Sequence, residues 1–270
     1  RLGPHNWVAE EVDPGATPYN DGGRWASLDI NSNNNPVIAH YEGGKQNLRV
    51  TRLDGDEWSS VEAFSGEDWS EEDTDGTVLT RKASVGKYAR MLIGPDDKEY
   101  IAFHDDAQQT LNLLEGFSGA YTHTVVDSNG DVGAWPSMHL QGDTLRIAYH
   151  DEGNQNLKLA QREGTDGFVI QTIDEGEFRG ADTEIFVGPS GDFAIVYFDG
   201  QDNDMMLATQ TGTSKWDIET IGQDNKAIGF HNEVAVIGGT AWLASYNYTD
   251  RSLFLHAVTA ADETDESDAE

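Results

Sequence analysis

The feature that most constrains this chain is a phrase that returns five times. "VIAHYE", "YIAFHDD", "RIAYHDE", "AIVYFDG" and "WLASYNY" each carry apolar residues into an aromatic or histidine and then into an acid or its amide. With Ala39, Ala102, Ala148, Val196 and Ala244 in register, the spacings are 63, 46, 48 and 48 residues. Leu48, Leu111, Leu157, Met205 and Leu253 follow the anchors at a constant offset of nine. Thirteen or fourteen residues before each anchor begin "WASLDI", "YARMLI", "WPSMHL", "DTEIFV" and "HNEVAV", whose apolar residues alternate with the period of a strand. A fourth segment closes the first four repeats, pairing an aromatic with an apolar residue five positions on: Trp58/Ala63, Tyr121/Val126, Phe168/Ile173 and Trp216/Ile221.

Four-stranded units of this length, repeated, predict an all-β chain folded as a five-bladed β-propeller of four-stranded blades. The fifth repeat lacks its fourth strand, and "NWVAEEVD" near the start supplies Trp7 and Val12 at the right offset. The expectation is therefore a ring closed by the N-terminal strand pairing into the last blade, which leaves no edge open at the seam. Residues 1–258 then make a single propeller, and 259–270 an acidic tail expected to be disordered. The long first spacing holds an insertion of about residues 66–86, "GEDWSEEDTDGTVLTRKASVG". On a regular scaffold such a segment is either a lid, a contact for a protein partner, or a passive excursion.

Composition narrows the partners. Against 49 acidic residues stand 17 basic ones, a formal charge of -32. That field repels nucleic acid, and it suits a saline (halophilic) habitat or an exterior rich in divalent cations. Cysteine is absent, so disulfide and thiolate chemistry are excluded. No apolar run is long enough for a membrane helix, and no membrane insertion is expected. With the chain starting at Arg1, without methionine or a signal peptide, the expectation is a processed, secreted domain at an extracellular, cell-surface or periplasmic location.

The phrases "GRWASLDI", "IAYHDEGNQNLKLA" and "KWDIETIG" resemble those of tandem-repeat β-propellers found in exported bacterial proteins. The resemblance runs through all five repeats. It implies the propeller fold and leaves the activity open. Five-bladed propellers include lectins similar to tachylectin and glycosidases of the arabinanase and fructosidase kind, so carbohydrate is the ligand class that the fold implies. The sialidase box S-x-D-x-G-x-T-W is not met, and "DTDGTV" at 73–78 matches it only in part.

Where a column repeats, the fold accounts for it; where it breaks, chemistry has room. Glu42, Asp105, Asp151, Asp199 and Asn247 follow the anchors in every blade, the pattern of a residue that accepts backbone hydrogen bonds and shapes a turn. The column before it reads Tyr41, His104, His150, Phe198 and Tyr246. Flat amphipathic side chains packed between blades explain it, and so do imidazoles converging on a cation or on acid-base work. In the innermost strands one column reads Ser27, Arg90, Ser137, Glu184, Glu233, and the one two residues earlier reads Trp25, Tyr88, Trp135, Asp182, His231.

The candidate catalytic residues are therefore Asp182, Glu184, Glu233, His231 and Arg90, since neighbouring carboxylates can divide acid and base work on a glycosidic bond. Candidate ligand-binding residues are Trp25, Tyr88, Trp135, His104 and His150. His104, His150 and His231 are the candidate metal ligands, for calcium or a transition metal as a divalent cation. "DSNGDVG" at 127–133 and "EEDTDG" at 71–76 match calcium loops only in part. The leading expectation is a propeller binding a carbohydrate or small polar molecule at the channel mouth. Its rivals are a glycan-acting hydrolase or lyase and a structural or assembly domain. A lectin would present equivalent pockets in several blades, an enzyme one asymmetric site.

Overall fold

The computed structural model describes residues 9–13, 21–222 and 225–260. It is a five-bladed β-propeller, with no helix among the described residues. Two compact units make up the chain, Arg1–Ala134 and Trp135–Glu270.

In the first unit, blade one is an antiparallel sheet of β1 (Gly22–Ile30), β2 (Pro36–Glu42), β3 (Asn47–Asp54) and β4 (Glu57–Phe64). The insertion folds as a separate hairpin of β5 (Trp69–Glu72) and β6 (Val78–Arg81). Blade two follows as β7 (Val85–Ile93), β8 (Glu99–Asp105), β9 (Thr110–Phe117) and β10 (Ala120–Asp127). Its first strand thus takes in the last two residues expected in the insertion.

Blade three opens with β11 (Val132–Gln141) and continues in the second unit with β12 (Thr144–Asp151), β13 (Asn156–Glu163) and β14 (Val169–Asp174). Blade four is β15 (Arg179–Val187), β16 (Phe193–Asp199), β17 (Asp204–Gly212) and β18 (Lys215–Thr220). Blade five shows three strands among the described residues: β19 (Ile228–Ile237), β20 (Thr240–Asn247) and β21 (Ser252–Thr259).

Strands form where the repeats place them because the second strands of blades one to four are buried on both faces, while β20 of blade five alternates buried and exposed residues. Every residue of β8 and β16 is buried, and apolar residues fill both faces of the pleat. Blades pack through the same anchors. In the first unit Val37, Leu48 and Val50 of blade one meet Met91, Ile101 and Phe103 of blade two. In the second, Leu157 and Leu159 join Ile185, Ile195 and Tyr197, and Leu207 joins Ile228 and Leu243.

The closest joints involve glycine. Gly86, Gly133, Gly180 and Gly229 open their innermost strands with φ of 99°, 102°, 98° and 118°. A Cβ on Gly86, Gly133 or Gly180 would lie 2.9, 2.6 or 2.8 Å from the Cα of Leu48, Leu111 or Leu157 in the preceding blade, and one on Gly229 3.2 Å from Met205 Cα. Those partners are the residues nine positions past each anchor. Side-chain latches reinforce the joints: Ser27 Oγ accepts the Met91 N–H at 3.0 Å, Asp29 Oδ2 the Ile93 N–H at 2.7 Å, and Ser137 Oγ the Ile185 N–H at 3.0 Å.

Trp7 of the expected closing strand lies outside the described residues, as does the tail beyond residue 260. Val12 is described and is not in a strand. Its neighbour Asp13 is bound into blade one, where Oδ2 accepts from Arg49 Nε at 2.7 Å and from Ser60 Oγ at 2.5 Å, and lies 3.3 Å from His40 Nε2.

The glycine joints yield a stability test. Gly180→Ala adds a Cβ in a left-handed conformation against the Leu157 backbone, and should lower unfolding stability by about 3 kcal/mol. Gly164→Ala, left-handed at φ 55° but facing open space, should lose only about 1 kcal/mol. Chemical denaturation of the two variants against the parent measures the difference.

Candidate functional site

Each innermost strand begins alike at the edge where the second strand ends, called here the upper edge. Two residues past the glycine comes a second left-handed residue: Trp25 (φ 49°), Tyr88 (54°), Trp135 (47°), Asp182 (49°) and His231 (55°). Pairing with the second strand slips there, between Arg24 and Ser27, Lys87 and Arg90, Ala181 and Glu184, and Phe230 and Glu233. The extra residue is a β-bulge, a device that re-aims a side chain. Left-handed φ in such residues costs roughly 1–2 kcal/mol each, so the surroundings must hold it. They do: Thr183 Oγ1 donates to the Trp135 carbonyl at 2.7 Å, and Asn232 Nδ2 to the Asp182 carbonyl at 2.9 Å.

In the second unit the bulges bring Asp182 and His231 together. Asp182 Oδ2 accepts the His231 N–H at 3.2 Å. Burial holds the Asp182 carboxyl above the ordinary carboxylate range, against the opposing pull of that N–H and of the His231 charge. Glu184 and Glu233 stand two residues on, opposite Val196 and Ala244, the first buried and the second exposed. Serine in their column latches onto the next blade, at Ser27 and Ser137. Arg90 takes the same position in blade two, half-buried opposite Ala102.

The aromatic candidates gather by unit. Trp25 packs on Tyr41 (5.3 Å between centroids) and Tyr88 (5.2 Å), and Tyr88 lies 6.3 Å from His104. Trp135 lies 5.7 Å from His150. Both histidines are buried and tied to the start of the next blade. His104 Nε2 is 3.1 Å from Asp131 Oδ1, and His150 Nδ1 donates to the Arg179 carbonyl at 2.6 Å. The hydrogen bond from His104 pulls the Asp131 carboxyl below its ordinary range. His104 Nδ1 is buried with no partner among the described residues. The insertion reaches this pair, since Arg81 Nη1 donates to Gln109 Oε1 at 2.6 Å and Gln109 Nε2 to Asp131 Oδ2 at 2.6 Å.

The repeated acids are turn builders. Glu42 accepts the N–H of Gly44 and Lys45, Asp105 those of Ala107 and Gln108, Asp151 that of Asn154, Asp199 those of Gln201 and Asp202, and Asn247 that of Asp250. The partial calcium loops use their oxygens locally as well, Asp127 on the Asn129 N–H and Asp75 on the Thr77 N–H.

Phe178 escaped the sequence reading, and Asp131 entered it only as part of the partial calcium loop at 127–133. They occupy one column, two residues before the glycine, that runs Asp21, Ser84, Asp131, Phe178, Ala227. Only aspartate recurs in it, at Asp21 and Asp131, and registering the glycines exposes it.

No family model matches the chain, and no curated protein matches it by sequence. Solved structures match by fold. An α-L-arabinofuranosidase from Lactobacillus brevis is similar over 88% of this chain and 91% of its own, at 11% identity and a TM-score of 0.55. The catalytic domain of a Coprinopsis cinerea GH62 α-L-arabinofuranosidase covers 92% and 96%, at 10% identity and 0.53. A polysaccharide lyase matches over 87% of this chain and 57% of its own, at 10% identity and 0.50. These structural neighbours are carbohydrate-active propellers. No helix among the described residues is long and apolar enough to cross a membrane.

A raised Asp182 fixes the sign of a pH effect. Its stabilising contribution is fully present below the ordinary carboxylate pKa and is lost as pH rises through the raised value. Asp182→Asn should remove that loss, so parent and variant should diverge in thermal midpoint as pH climbs through this window. NMR titration of the Asp182 carboxyl should give a midpoint above the ordinary aspartate value.

Proposed function

We propose that the protein is a carbohydrate-active enzyme that cleaves glycosidic bonds at the upper edge of blades four and five. The observation that carries this reading is the Asp182 carboxyl, held protonation-prone on a strained bulge beside His231. A general acid for a glycosidic oxygen needs that environment. Glu233, exposed on blade five, is the candidate second carboxylate, and Glu184 lies buried two residues from Asp182. His231 fixes Asp182 through its backbone. Within the same unit Trp135 and His150, 5.7 Å apart, are the candidates for orienting the sugar; Arg90, Trp25, Tyr88 and His104 belong to the first unit.

Two further supports come from outside this site. Neighbours that share the fold over nearly the whole chain are named as arabinofuranosidases. Within the second unit the left-handed positions two residues past the glycine carry Trp, Asp and His, three different side chains in place of the equivalent pockets of a lectin. His104 with Asp131, 3.1 Å apart in the first unit, is the candidate seat for a divalent cation. Action on glycans also favours an extracellular site of work.

Assay of the purified protein on aryl glycosides and neutral polysaccharides tests the reading. Asp182→Asn should cut turnover by about 10²- to 10⁴-fold while leaving the fold intact. A lyase would reveal itself by the ultraviolet absorbance of an unsaturated product. Full activity in Asp182→Asn, or none in the parent on any glycan, would sink the proposal.

A further inference from the structure

Beyond the acid, the second unit carries a continuous line of aromatic rings along its upper edge. Phe178 lies 5.2 Å from His150, 6.4 Å from Trp135 and 6.3 Å from Phe198. Phe198 lies 4.2 Å from Phe230, Phe230 6.0 Å from Tyr248, and Tyr248 6.4 Å from Tyr246. Three of these rings stand open to water, Phe178 and Tyr246 at 37% and Tyr248 at 65%. Core packing does not require that exposure.

The line is built with some strain. Phe178 itself is left-handed, at φ 58°, and its carbonyl is clamped by the Gly200 N–H at 2.9 Å. A Cβ on Gly200 would overlap the Phe178 ring, and one on Gly229 would lie 2.9 Å from Phe198 Cδ2. Tyr248 is clamped in the same way, its N–H on the Ala227 carbonyl at 2.8 Å. Phe230 immediately precedes His231, whose N–H binds Asp182, so one ring of the line is the chain neighbour of the residue that holds the proposed acid.

We propose that this rim is a run of stacking subsites that takes an extended, uncharged glycan past Asp182; the inference rests on the glycan reading above. Aromatic faces pair with the C–H faces of sugar rings, and flanking carboxylates accept sugar hydroxyls. Charge selects the class. Arg179 and Lys226, the cations beside Phe178 and Ala227 in sequence, are held by Asp199 and by Asp250. With a net charge of -32, a polyuronate or sulfated chain is repelled.

Calorimetric titration of the whole protein, carrying Asp182→Asn to prevent turnover, separates the outcomes. The probes are arabino-, xylo- and galacto-oligosaccharides from disaccharide to hexasaccharide, with oligogalacturonides of matching length. For at least one neutral series affinity should rise with length. Tyr248→Ala should weaken the hexasaccharide roughly tenfold and the disaccharide less, and Tyr248→Phe should restore it. Val169→Ala, an exposed apolar residue on β14, should change nothing. Affinity flat with length in every neutral series, equal loss at all lengths in Tyr248→Ala, or tighter binding of oligogalacturonides overturns the rim. Length-dependent, Tyr248-dependent binding in a protein whose parent form cleaves no glycan would uphold the rim and discard the enzyme. Cleavage by the parent without length dependence would do the reverse.

Discussion

Blade-to-blade packing turns on a contact without side-chain atoms on one partner. A glycine at φ near 100° lets the first turn of an innermost strand rest on the Cα of the third strand in the preceding blade, at Gly86 on Leu48, Gly133 on Leu111 and Gly180 on Leu157. Any other residue would need both a forbidden φ and more space. Because the glycine sits so close, the chain immediately after it has to accommodate an extra residue before regaining register with its own second strand. The bulge at Trp25, Tyr88, Trp135, Asp182 and His231 is that accommodation. The candidate site is therefore a by-product of the joint: the packing that holds the blades also turns one side chain per blade out of the pleat.

Several of the scarce cations pair with buried acids. Arg52 reaches Glu99 in the neighbouring blade at 3.0 Å through Nε, with Tyr121 completing the set. Arg179 pairs with Asp199, and Lys158 lies 2.6 Å from the fully buried Asp151. Buried charges left alone are costly, so each of these acids needs its partner, and removing one side of such a pair typically costs about 3–5 kcal/mol. With 17 basic residues against 49 acidic ones, such internal pairing leaves the surface strongly negative. Acidity outside and paired charge within follow from the same shortage.

Much of this was legible because strand order and register follow period-two patterning. The anchors Ala39, Ala102, Val196 and Ala244 pair opposite Ser27, Arg90, Glu184 and Glu233, as the aligned columns require. The acid column declared its turn-building role by repeating. The bulge did not show, because alternation resumes after it and a left-handed Trp or Asp has no mark in sequence. Phe178 was hidden for a different reason: it lies in a connection, where no periodicity applies and its tertiary neighbour Gly200 is far along the chain; Asp131 was in view within the partial calcium loop, but its partner His104 was not. The insertion announced its length but not its form, a hairpin tied by Arg81 and Gln109 to the blade beside it.

Five bulges with one backbone and five different environments separate what the fold needs from what chemistry can use. The left-handed conformation persists whether the side chain is Trp, Tyr, Asp or His, so its strain is a property of the joint and says nothing by itself about activity. Side-chain identity is then the free variable. Among the described residues only blade four puts a carboxyl there, and blade five answers with a backbone N–H on its oxygen and Asn232 on its carbonyl. A repeat fold can therefore carry a single site without any departure from its repeat geometry, by changing one column while the glycine before it stays fixed.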